Sequence, residues 1–523
     1  MGLNVSALRI ATCLVLVGCS SSGGNGGSAG GSPAGQGNGG GPAAGGGSSM
    51  AGSSTAGAAS GGTGNGGASS GGASSGGGSS TGGGGGLATG GSGEQMPSVS
   101  LTVSPTVAHV APGATVQFSA KVTGLADTAS TWAVKEGASG GSISATGMYT
   151  APSTTGTFHV VATSHADPSI TGTATVISNV VGNCSNLPTS GKWESISPVV
   201  ATIGDGSGQN FAEGIVVDPF DPATVWLGTG FAGVFKSTDC GATWTHVNTG
   251  RNGAAMDNGS HVSIALDPVD KGTMYTVSLF GAWGLWKTTN GGVDWDQLFD
   301  NNSEVFKITA NAIDAVSMDP TDHKHLVIGM HTNCNAPYAP TCAAETRDGG
   351  ATWTIVKTPN ENWEEGAGPW VLDAKSWLYA GLDLFLTKDS GATWAKVTPS
   401  GTWGFSGGEV AVHSIPRAAD GTYFLTSSQG IARSSDGYSW SVIPMFTKRV
   451  VGFAIGGGRL FASDAWSTSY YMASESNPTA WMTIPAPEGL PPEAGAPYVD
   501  YDAAHHVLYS ANFAAGLWRL VIP

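Results

Sequence analysis

Four carboxylates in this sequence are the best candidates for acid–base chemistry: Glu213, Asp239, Asp314 and Glu409. Glu213, Asp314 and Glu409 lie near the start of segments that alternate as strands do, and Asp239 lies in a Gly-containing turn. Paired carboxyl groups can protonate a leaving oxygen while activating water or attacking directly. A separation of about 6.5–9.5 Å favours inversion at a sugar carbon, and about 5–5.5 Å favours retention. We therefore take these four residues as the candidate catalytic set.

Aromatic side chains are frequent in the same parts of the chain. Aromatic faces stack on the apolar faces of sugar rings, and a few convergent polar groups then fix the orientation of the ligand. Any one of these residues fits packing as well as binding, so only their convergence indicates a site. The candidate substrate-binding residues are Trp283, Trp363, Trp403, Trp466, Tyr498 and His261.

The elements that must position these side chains are repeated from about residue 188 onward. In the repeat a strand leads to an Asp-Pro turn, as at Asp218, Asp267 and Asp319, and later to a hairpin with the pattern Ser/Thr-x-Asp-x-Gly-x-x-Trp. Asp or Asn caps backbone donors of the turn, Gly supplies a positive φ and Trp packs between sheets. The motif occurs at Ser237–Trp244, Thr288–Trp295, Thr346–Trp353, Thr387–Trp394 and Ser434–Trp440, with a degenerate copy at Ser474–Trp481.

The first strands of these repeats predict the fold. They open near Glu213, His261, Ala312, Trp370, Glu409, Val450 and Tyr498, which predicts a seven-bladed β-propeller over residues 188–523 of an all-β protein. The last blade has three strands of its own, and residues 192–197 have the pattern of an outermost strand that would complete it. The hairpins occupy one face, so function is expected on the opposite face, where the long connections lie.

The hairpins resemble the Asp-box repeats of sialidase-like and xyloglucanase-like propellers. Residues 212–222, 225–241 and 262–268 are similar to the opening of xyloglucanase-family propellers. The resemblance implies an inverting pair of aspartates, and Thr238-Asp239-Cys240-Gly241 matches the motif of one of them. The family's second propeller and partner carboxylate are missing here, and Asp239 also fits the structural role of an Asp-box residue.

Two other activities of such propellers fit less well. Sialidases need an arginine cluster, an Arg-Ile-Pro motif and a Tyr-Glu pair, and this sequence has no Arg-Ile-Pro. A polysaccharide lyase would use His261, His331 or Tyr498 as its base, but the acidic chain offers few cations to hold a uronic acid. We therefore argue against a sialidase and rank a lyase below a hydrolase.

The N-terminal part predicts export and tethering. Residues 1–18 read as a signal peptide, and Leu16-Val17-Gly18-Cys19 resembles the bacterial lipobox, which implies acylation of Cys19. Ser20 resembles the sorting pattern for the outer membrane, so the expected location is the cell surface or outer membrane. The alternative is an exported protein without a lipid. Residues 19–96 predict a disordered Gly/Ser/Ala-rich linker.

Residues 97–180 predict a small β-sandwich. Residues 99–103, 115–119 and 157–162 alternate as short strands between turn residues. Residues 97–105, 111–118 and 147–152 resemble bacterial immunoglobulin-like domains, in which Trp132 would be the core aromatic residue. The absence of a polar cluster indicates a spacer.

The cysteines predict disulfides rather than a metal site. Cys334 and Cys342 bracket a short proline-containing loop, and Cys184 and Cys240 could form a second pair. The closer CxxC spacing that is typical of zinc sites is missing among these four cysteines. We expect no metal and no cofactor.

The charge balance limits the partners. The formal charge is −16, with 37 acidic and 21 basic residues, which argues against nucleic acid as a partner. The expected partners are an extracellular polysaccharide or glycan and, through Cys19, a membrane; a monomer is expected. The leading hypothesis is a glycoside hydrolase-like propeller, and the alternative is a non-catalytic scaffold that binds a glycan or a protein.

Overall fold

The structure, a computed structural model, describes residues 99–178, 182, 184, 186–198, 212–298, 313–330, 334–359, 367–380, 383–400, 415–418, 420–427, 429–444, 446, 448–464, 467–492, 494–512 and 515–523. These residues belong to one compact unit that is almost entirely β-structure. Its helices are a 3-10 turn, Gly137–Gly140, and a four-residue α-helix, Gly253–Met256. Within the described residues, neither has the length and apolar character that crossing a bilayer requires.

The N-terminal part of the described chain is a set of three small sheets. The strands are β1 (Ser100–Ser104), β2 (Val107–Val110), β3 (Thr115–Gln117), β4 (Ser119–Thr123), β5 (Ser130–Val134), β6 (Ser142–Ile143), β7 (Met148–Thr150), β8 (Gly156–Ser164) and β9 (Thr171–Ser178). They pair as β1-β4, β2-β9-β8-β5 and β3-β7-β6, and the β2-β9 pair is parallel. One buried cluster joins them; Tyr149 lies at its centre, and the expected core residue Trp132 packs at its edge, partly buried.

Seven further sheets follow among the described residues of 193–523. The strands are β10 (Trp193–Ser195), β11 (Ala212–Val217), β12 (Val225–Thr229), β13 (Val234–Ser237), β14 (Thr245–His246), β15 (Gly259–Leu266), β16 (Met274–Gly281), β17 (Gly284–Thr288), β18 (Asp296–Gln297), β19 (Ile313–Asp319), β20 (Asp322–Met330), β21 (Cys342–Thr346), β22 (Thr354–Lys357), β23 (Ala367–Val371), β24 (Trp377–Ala380), β25 (Leu384–Thr387), β26 (Ala395–Val397), β27 (Tyr423–Ser427), β28 (Gly430–Ser434), β29 (Ser441–Val442), β30 (Gly452–Gly456), β31 (Arg459–Ser463), β32 (Tyr470–Ser474), β33 (Asn477–Ile484), β34 (Tyr498–Asp502), β35 (Val507–Asn512) and β36 (Gly516–Val521). Each sheet is an antiparallel meander: β11-β14, β15-β18, β19-β22, β23-β26, β27-β29, β30-β33, and β34-β35-β36 with β10 added.

These sheets are arranged in a ring. A separate apolar cluster fills each junction between successive sheets, and a further one joins the last sheet to the first, where Tyr509 packs with Phe235. The strand β10 pairs with β36, as the pattern of residues 192–197 predicts, so the two ends of this region share one sheet. This cyclic order is that of a β-propeller.

The turns after the first strands use one recurring device. In five of the seven sheets, one oxygen of an Asp carboxylate at this turn accepts backbone N–H groups of the turn, and the other pairs with a donor on an aromatic ring. Asp319, for example, accepts from the Thr321 N–H at 2.7 Å and pairs with Nδ1 of His325 at 2.8 Å. Asp218, Asp267, Asp373 and Asp502 repeat it with Trp226, His323, Tyr438 and His505 respectively. These aspartates therefore shape the turns.

A buried arginine fastens the closing sheet. The side chain of Arg519, 1% exposed, donates from Nε to Glu194 at 2.8 Å and from its terminal nitrogens to the carbonyls of Cys240 and Asn186, each at 2.6 Å. Glu194 belongs to β10, Cys240 to the first Asp-box hairpin, and Asn186 to the chain that precedes β10. Arg519 thus binds three separate segments at the junction of the last and first sheets.

The N-terminal sheets contact the ring on its Asp-box face. The hydroxyl of Thr106 donates to the carbonyl of Pro320 at 3.0 Å. Pro320 lies in the turn after β19, so the turn between β1 and β2 rests against the face that carries the hairpins.

Replacing Arg519 should destabilise the ring. We expect Arg519→Met to lower the free energy of unfolding by about 3 kcal/mol, because it leaves two carbonyls and a carboxylate without their donor. Urea unfolding followed by tryptophan fluorescence measures this. The control is Arg251→Met, which breaks an exposed pair with Asp296 and should cost no more than about 1 kcal/mol; equal losses in both variants would contradict the role of Arg519.

Candidate functional site

The inner strands of four successive sheets are irregular near their starts. The registers of β11, β15, β19 and β23 against their neighbours each contain a bulge there, whereas β30 and β34 pair without interruption. A bulge bends a strand and re-aims its side chains. Glu213 and Asp314 stand at the bulges of β11 and β19, so two of the predicted carboxylates occupy equivalent backbone positions two sheets apart.

Glu213 is held at the junction of the first two sheets. The hydroxyl of Ser260, at the start of β15, lies 2.9 and 2.8 Å from its two carboxylate oxygens. Burial raises the pKa of Glu213 to about 7, although the hydrogen bond from Ser260 acts in the opposite direction. A partly buried carboxyl group with such a pKa can donate and accept a proton near neutral pH.

Aromatic residues lie on the same face as Glu213. Phe231, in the turn between β12 and β13, has φ of 63°, a strained value for a bulky residue, and its N–H donates to the carbonyl of Gly259 beside Ser260. Trp283, in the corresponding turn of the second sheet, is 43% exposed. The face opposite the hairpins therefore carries an exposed indole and a carboxyl group whose pKa is raised by burial.

The inner strands enclose a cavity of about 260 Å³. Its walls include Ile264, Phe453, Tyr498, Asp500 and Arg417. Asp500 accepts from the N–H of Val217 at 2.7 Å across the closing junction, and burial raises its pKa to about 6. Most of the residues that line the cavity are apolar, and one carboxyl group and one guanidinium group lie among them.

Asp500 and Arg417 were not among the residues that sequence reasoning selected. A signal is present in the sequence, because Asp500 is a carboxylate that stands between Val499 and Tyr501 within an inner strand. Tyr498 was selected, and it lines this cavity at the first position of β34.

His261 does not contact solvent, contrary to the prediction that it binds substrate. Its side chain is 0% exposed and lies 2.8 Å, through Nε2, from the carbonyl of Met256. Burial lowers its pKa to about 4, so the ring is neutral near pH 7. Its backbone carbonyl packs against Gly228, where a Cβ would lie 2.2 Å from that oxygen. The residue belongs to the packing between the first two sheets.

Asp239 is a turn residue rather than a proton donor. Its Oδ1 accepts from Ser237 and from the Thr243 N–H, both at 2.8 Å, and its Oδ2 accepts from the Thr243 hydroxyl at 2.7 Å. These bonds lower its pKa, although burial acts in the opposite direction. The equivalent residues Asp348 and Asp389 make the same set of bonds, so the catalytic role expected for Asp239 is not supported.

The remaining predicted residues fall into two groups. Cys334 is bonded to Cys342 and Cys184 to Cys240, the two pairs considered from the sequence. The described residues do not include Glu409, Trp363, Trp403, Trp466, His331 or Cys19, nor the side chain of Asp314.

One solvent-facing group of metal-ligating side chains lies on the hairpin face. Asp267, Asp270 and His323 have donor atoms within 4.8 Å of one another. Asp267 already accepts two turn N–H groups and pairs with His323 at 2.8 Å, so hydrogen bonds account for this arrangement.

The curated proteins to which this chain is similar include xyloglucanases. No family model matches the chain. It is 38% identical over 92 residues to a probable oligoxyloglucan-reducing end-specific xyloglucanase of Neosartorya fischeri, an alignment covering 17% of this chain and 11% of that protein. It is 24% identical over 313 residues to a xyloglucanase of Hypocrea jecorina, covering 54% and 34% respectively. The chain thus spans about a third or less of the length of these curated relatives.

Solved β-propellers are among the similar structures. YCF48 from Cyanidioschyzon merolae is 12% identical with a TM-score of 0.43, over 63% of this chain and 98% of that chain. The GH74 xyloglucanase from Xanthomonas campestris is 16% identical with a TM-score of 0.35, over 63% and 45%. The Cps50 β-propeller domain from Myceliophteria thermophila is 8% identical with a TM-score of 0.41, over 60% and 99%.

The close packing at Gly228 predicts a large effect for a small substitution. Gly228→Ala should lower the free energy of unfolding by about 1–3 kcal/mol, because the new methyl group meets the His261 carbonyl. Thermal unfolding at fixed pH measures this. Gly456→Ala is the control, since its nearest contact would be an ordinary 3.4 Å; a Gly228 variant as stable as this control would contradict the packing.

The raised pKa of Glu213 predicts a pH-dependent stability. The pKa of Glu213 is about 7 in the folded state and 4.5 in the unfolded state. The proton that Glu213 holds therefore stabilises the folded state fully below pH 4.5, and this stabilisation is lost as the pH rises through 7. Glu213→Gln removes this dependence of the free energy of unfolding on pH. Between pH 5 and 8 the variant should gain about 2–3 kcal/mol relative to the wild type in urea unfolding. The control Glu488→Gln, at an exposed position, should show the same pH dependence of unfolding as the wild type. If Glu213→Gln also shows the wild-type pH dependence, the Glu213 carboxyl group is ionised across this whole pH range and the prediction is wrong.

Proposed function

We propose that this protein is a glycoside hydrolase-like propeller that cleaves xyloglucan or a related extracellular polysaccharide. The observation that carries the proposal is Glu213, a carboxyl group on the face opposite the Asp-box hairpins whose pKa is raised to about 7. A general acid must hold its proton at the working pH and release it to the leaving oxygen, which is what burial provides here.

In the proposed reaction Glu213 protonates the glycosidic oxygen as the bond to the sugar carbon breaks. The hydroxyl of Ser260, within 2.9 Å of both carboxylate oxygens, stabilises the carboxylate that remains. A second carboxylate removes a proton from the attacking water, whose hydroxyl adds to the sugar carbon. Asp314, at the equivalent bulge two sheets away, and Glu409 are the proposed partners.

The substrate class is supported by the curated relatives, which are named as xyloglucanases. This chain covers at most about a third of their length. The exposed indole of Trp283 supplies a stacking surface on the same face as the proposed acid.

A second candidate function is glycan binding without catalysis. The 43% exposed indole of Trp283 favours it, because a stacking surface holds a sugar ring whether or not a proton is transferred. In that case the raised pKa of Glu213 would be a consequence of packing alone.

The domain organisation and location that we propose are those predicted from the sequence. We propose that each of the seven sheets is one blade, that residues 97–180 form an immunoglobulin-like spacer, and that residues 19–96 are a flexible tether after an 18-residue signal peptide. Acylation of Cys19 would anchor a monomeric protein at the cell surface or outer membrane, where the propeller could reach polysaccharide. The two disulfides are consistent with an oxidising compartment.

Hydrolysis is tested by the release of new reducing ends from xyloglucan, with other neutral and acidic polysaccharides as comparison. Glu213→Gln should lower the rate of hydrolysis by about 10²–10⁴-fold, because the amide cannot donate the proton. Binding of the substrate should remain unchanged. The control Glu488→Gln should keep the full rate.

Two results would change the assignment. Unchanged activity in Glu213→Gln would remove Glu213 from the mechanism. Binding of xyloglucan without new reducing ends, lost in Trp283→Ala, would identify a glycan-binding scaffold instead.

A further inference from the structure

One histidine of the ring is buried between two carboxylates. His325, in β20, is 0% exposed. Its Nδ1 lies 2.8 Å from Oδ2 of Asp319, at the end of β19, and its Nε2 lies 2.8 Å from Oε1 of Glu345, in β21. Asp319 and Glu345 are themselves 1% and 6% exposed. Both ring nitrogens therefore face a carboxylate oxygen in the protein interior.

The protonation state of His325 follows from this geometry. A neutral imidazole has one N–H donor and one bare nitrogen, so it can donate to one carboxylate only. The bare nitrogen would then face the other carboxylate at 2.8 Å with no proton between them, and burial makes an unmet polar contact costly. When both carboxylates are ionised, both ring nitrogens must carry a proton, and the side chain is an imidazolium.

Both carboxylates have further donors that favour the ionised form. Oδ1 of Asp319 accepts from the N–H and the hydroxyl of Thr321, each at 2.7 Å. Burial acts to raise the pKa of Asp319, but the bonds from His325 and Thr321 outweigh it and lower the pKa. Glu345 accepts from the guanidinium of Arg347 at 2.6 Å. Burial acts to lower the pKa of His325, but the bonds to Asp319 and Glu345 outweigh it and raise the pKa.

This group of side chains also reaches the next sheet. The Arg347 nitrogen that binds Glu345 donates to the carbonyl of Ala374 at 2.5 Å and to the hydroxyl of Ser390 at 3.0 Å. Ala374 lies in the turn between β23 and β24, and Ser390 lies in the Asp-box hairpin of the same sheet. The contacts therefore join the third sheet of the ring, β19–β22, to the fourth, β23–β26. We call Asp319, His325, Glu345 and Arg347 the latch.

Charged groups on the elements beside the latch are already paired. In the turn between β15 and β16, Asp267 pairs with His323 at 2.8 Å. In the turn between β23 and β24, Asp373 accepts from a turn N–H and from the hydroxyl of Tyr438. Loss of the His325 proton would thus leave a net negative charge within the latch.

We propose that the latch is a proton-dependent connection between the third and fourth sheets. With the imidazolium present, the two carboxylates are balanced by His325 and Arg347, and each of them has its donors. Without the proton, one buried carboxylate loses a donor, and the connection to the fourth sheet loosens as the pH rises. The proposal does not depend on the activity of the propeller.

The first test is the pH dependence of unfolding in Glu345→Gln. The new amide donates to an unprotonated ring nitrogen while its oxygen still accepts from Arg347, so this variant needs no imidazolium. In the wild type, the stabilisation by the His325 proton is complete below the ordinary pKa of 6.5 and is lost as the pH rises through the raised pKa of the folded state. From about pH 6 to about pH 9, the ratio of the folding equilibrium constant of Glu345→Gln to that of the wild type should therefore rise at least about threefold in urea unfolding.

Two comparisons isolate the latch. The matched control Glu488→Gln, at an exposed position, should keep a constant ratio to the wild type across this pH range. Glu213 and His505 titrate in the wild type and in Glu345→Gln alike, so their contributions cancel in the ratio.

The second test measures His325 directly in the wild-type chain. Deuterium exchange of the carbon-bound ring proton, followed by mass spectrometry of peptides, reports the pH at which each histidine titrates. His325 should titrate above 6.5, and at a lower pH in Glu345→Gln than in the wild type. At one alkaline pH, backbone amides of β21 and of the turn between β23 and β24 should exchange faster in the wild type than in Glu345→Gln.

Three results would overturn the proposal. The first is titration of His325 at or below pH 6.5 in the wild type, which is measured whether or not the variant folds. The second is a folded Glu345→Gln variant whose folding equilibrium constant keeps a constant ratio to that of the wild type. The third is equal amide exchange in the two chains at alkaline pH, which would mean that the proton does not control the contact between the sheets.

Discussion

Ring closure is the constraint on which the other features of this fold depend. Each sheet buries both faces against its neighbours, so an open row would leave the apolar faces of the first and last sheets in water. The pairing of β10 with β36 places both ends of the region in one sheet, and Tyr509 and Phe235 fill the resulting junction. Arg519 is buried there, and its desolvation is offset because Glu194 and two carbonyls accept its hydrogen bonds.

A closed ring can hold polar groups where an open sheet could not. The inner edges of the first strands face a narrow channel, and side chains from one sheet satisfy backbone groups of the next. Asp500 accepts the N–H of Val217, and Ser317 accepts that of Val371 in the same way. Exclusion of water between the sheets strengthens these hydrogen bonds, and it also desolvates Glu213 and raises its pKa. The raised pKa of the proposed acid therefore follows from the closure of the ring.

Local rules account for what the sequence could predict. The Asp-box hairpins need Gly at a positive φ, an Asp that caps the turn and a Trp that packs beneath it, and such needs are visible residue by residue. The closing strand was also predictable, because a last repeat of three strands lacks a partner. The burial of His261 and the single role of Asp239 in its turn could not be predicted in this way. The alternation of residues shows on which face of a strand the His261 side chain lies, but not that the Met256 segment packs over it. A motif shared with an enzyme family, such as that of Asp239, can have a purely structural role in the turn.

The disulfide between Cys184 and Cys240 determines how the ring would carry mechanical load. A pull on the chain before residue 184 reaches Cys240 through covalent bonds and enters the first sheet directly, before any tension reaches β10. Without that bond, the same pull would peel the three residue pairs that join β10 to β36 one after another, the weakest direction in which to load a sheet. The disulfide therefore carries the force past the β10–β36 pairing, whose hydrogen bonds would otherwise break one after another.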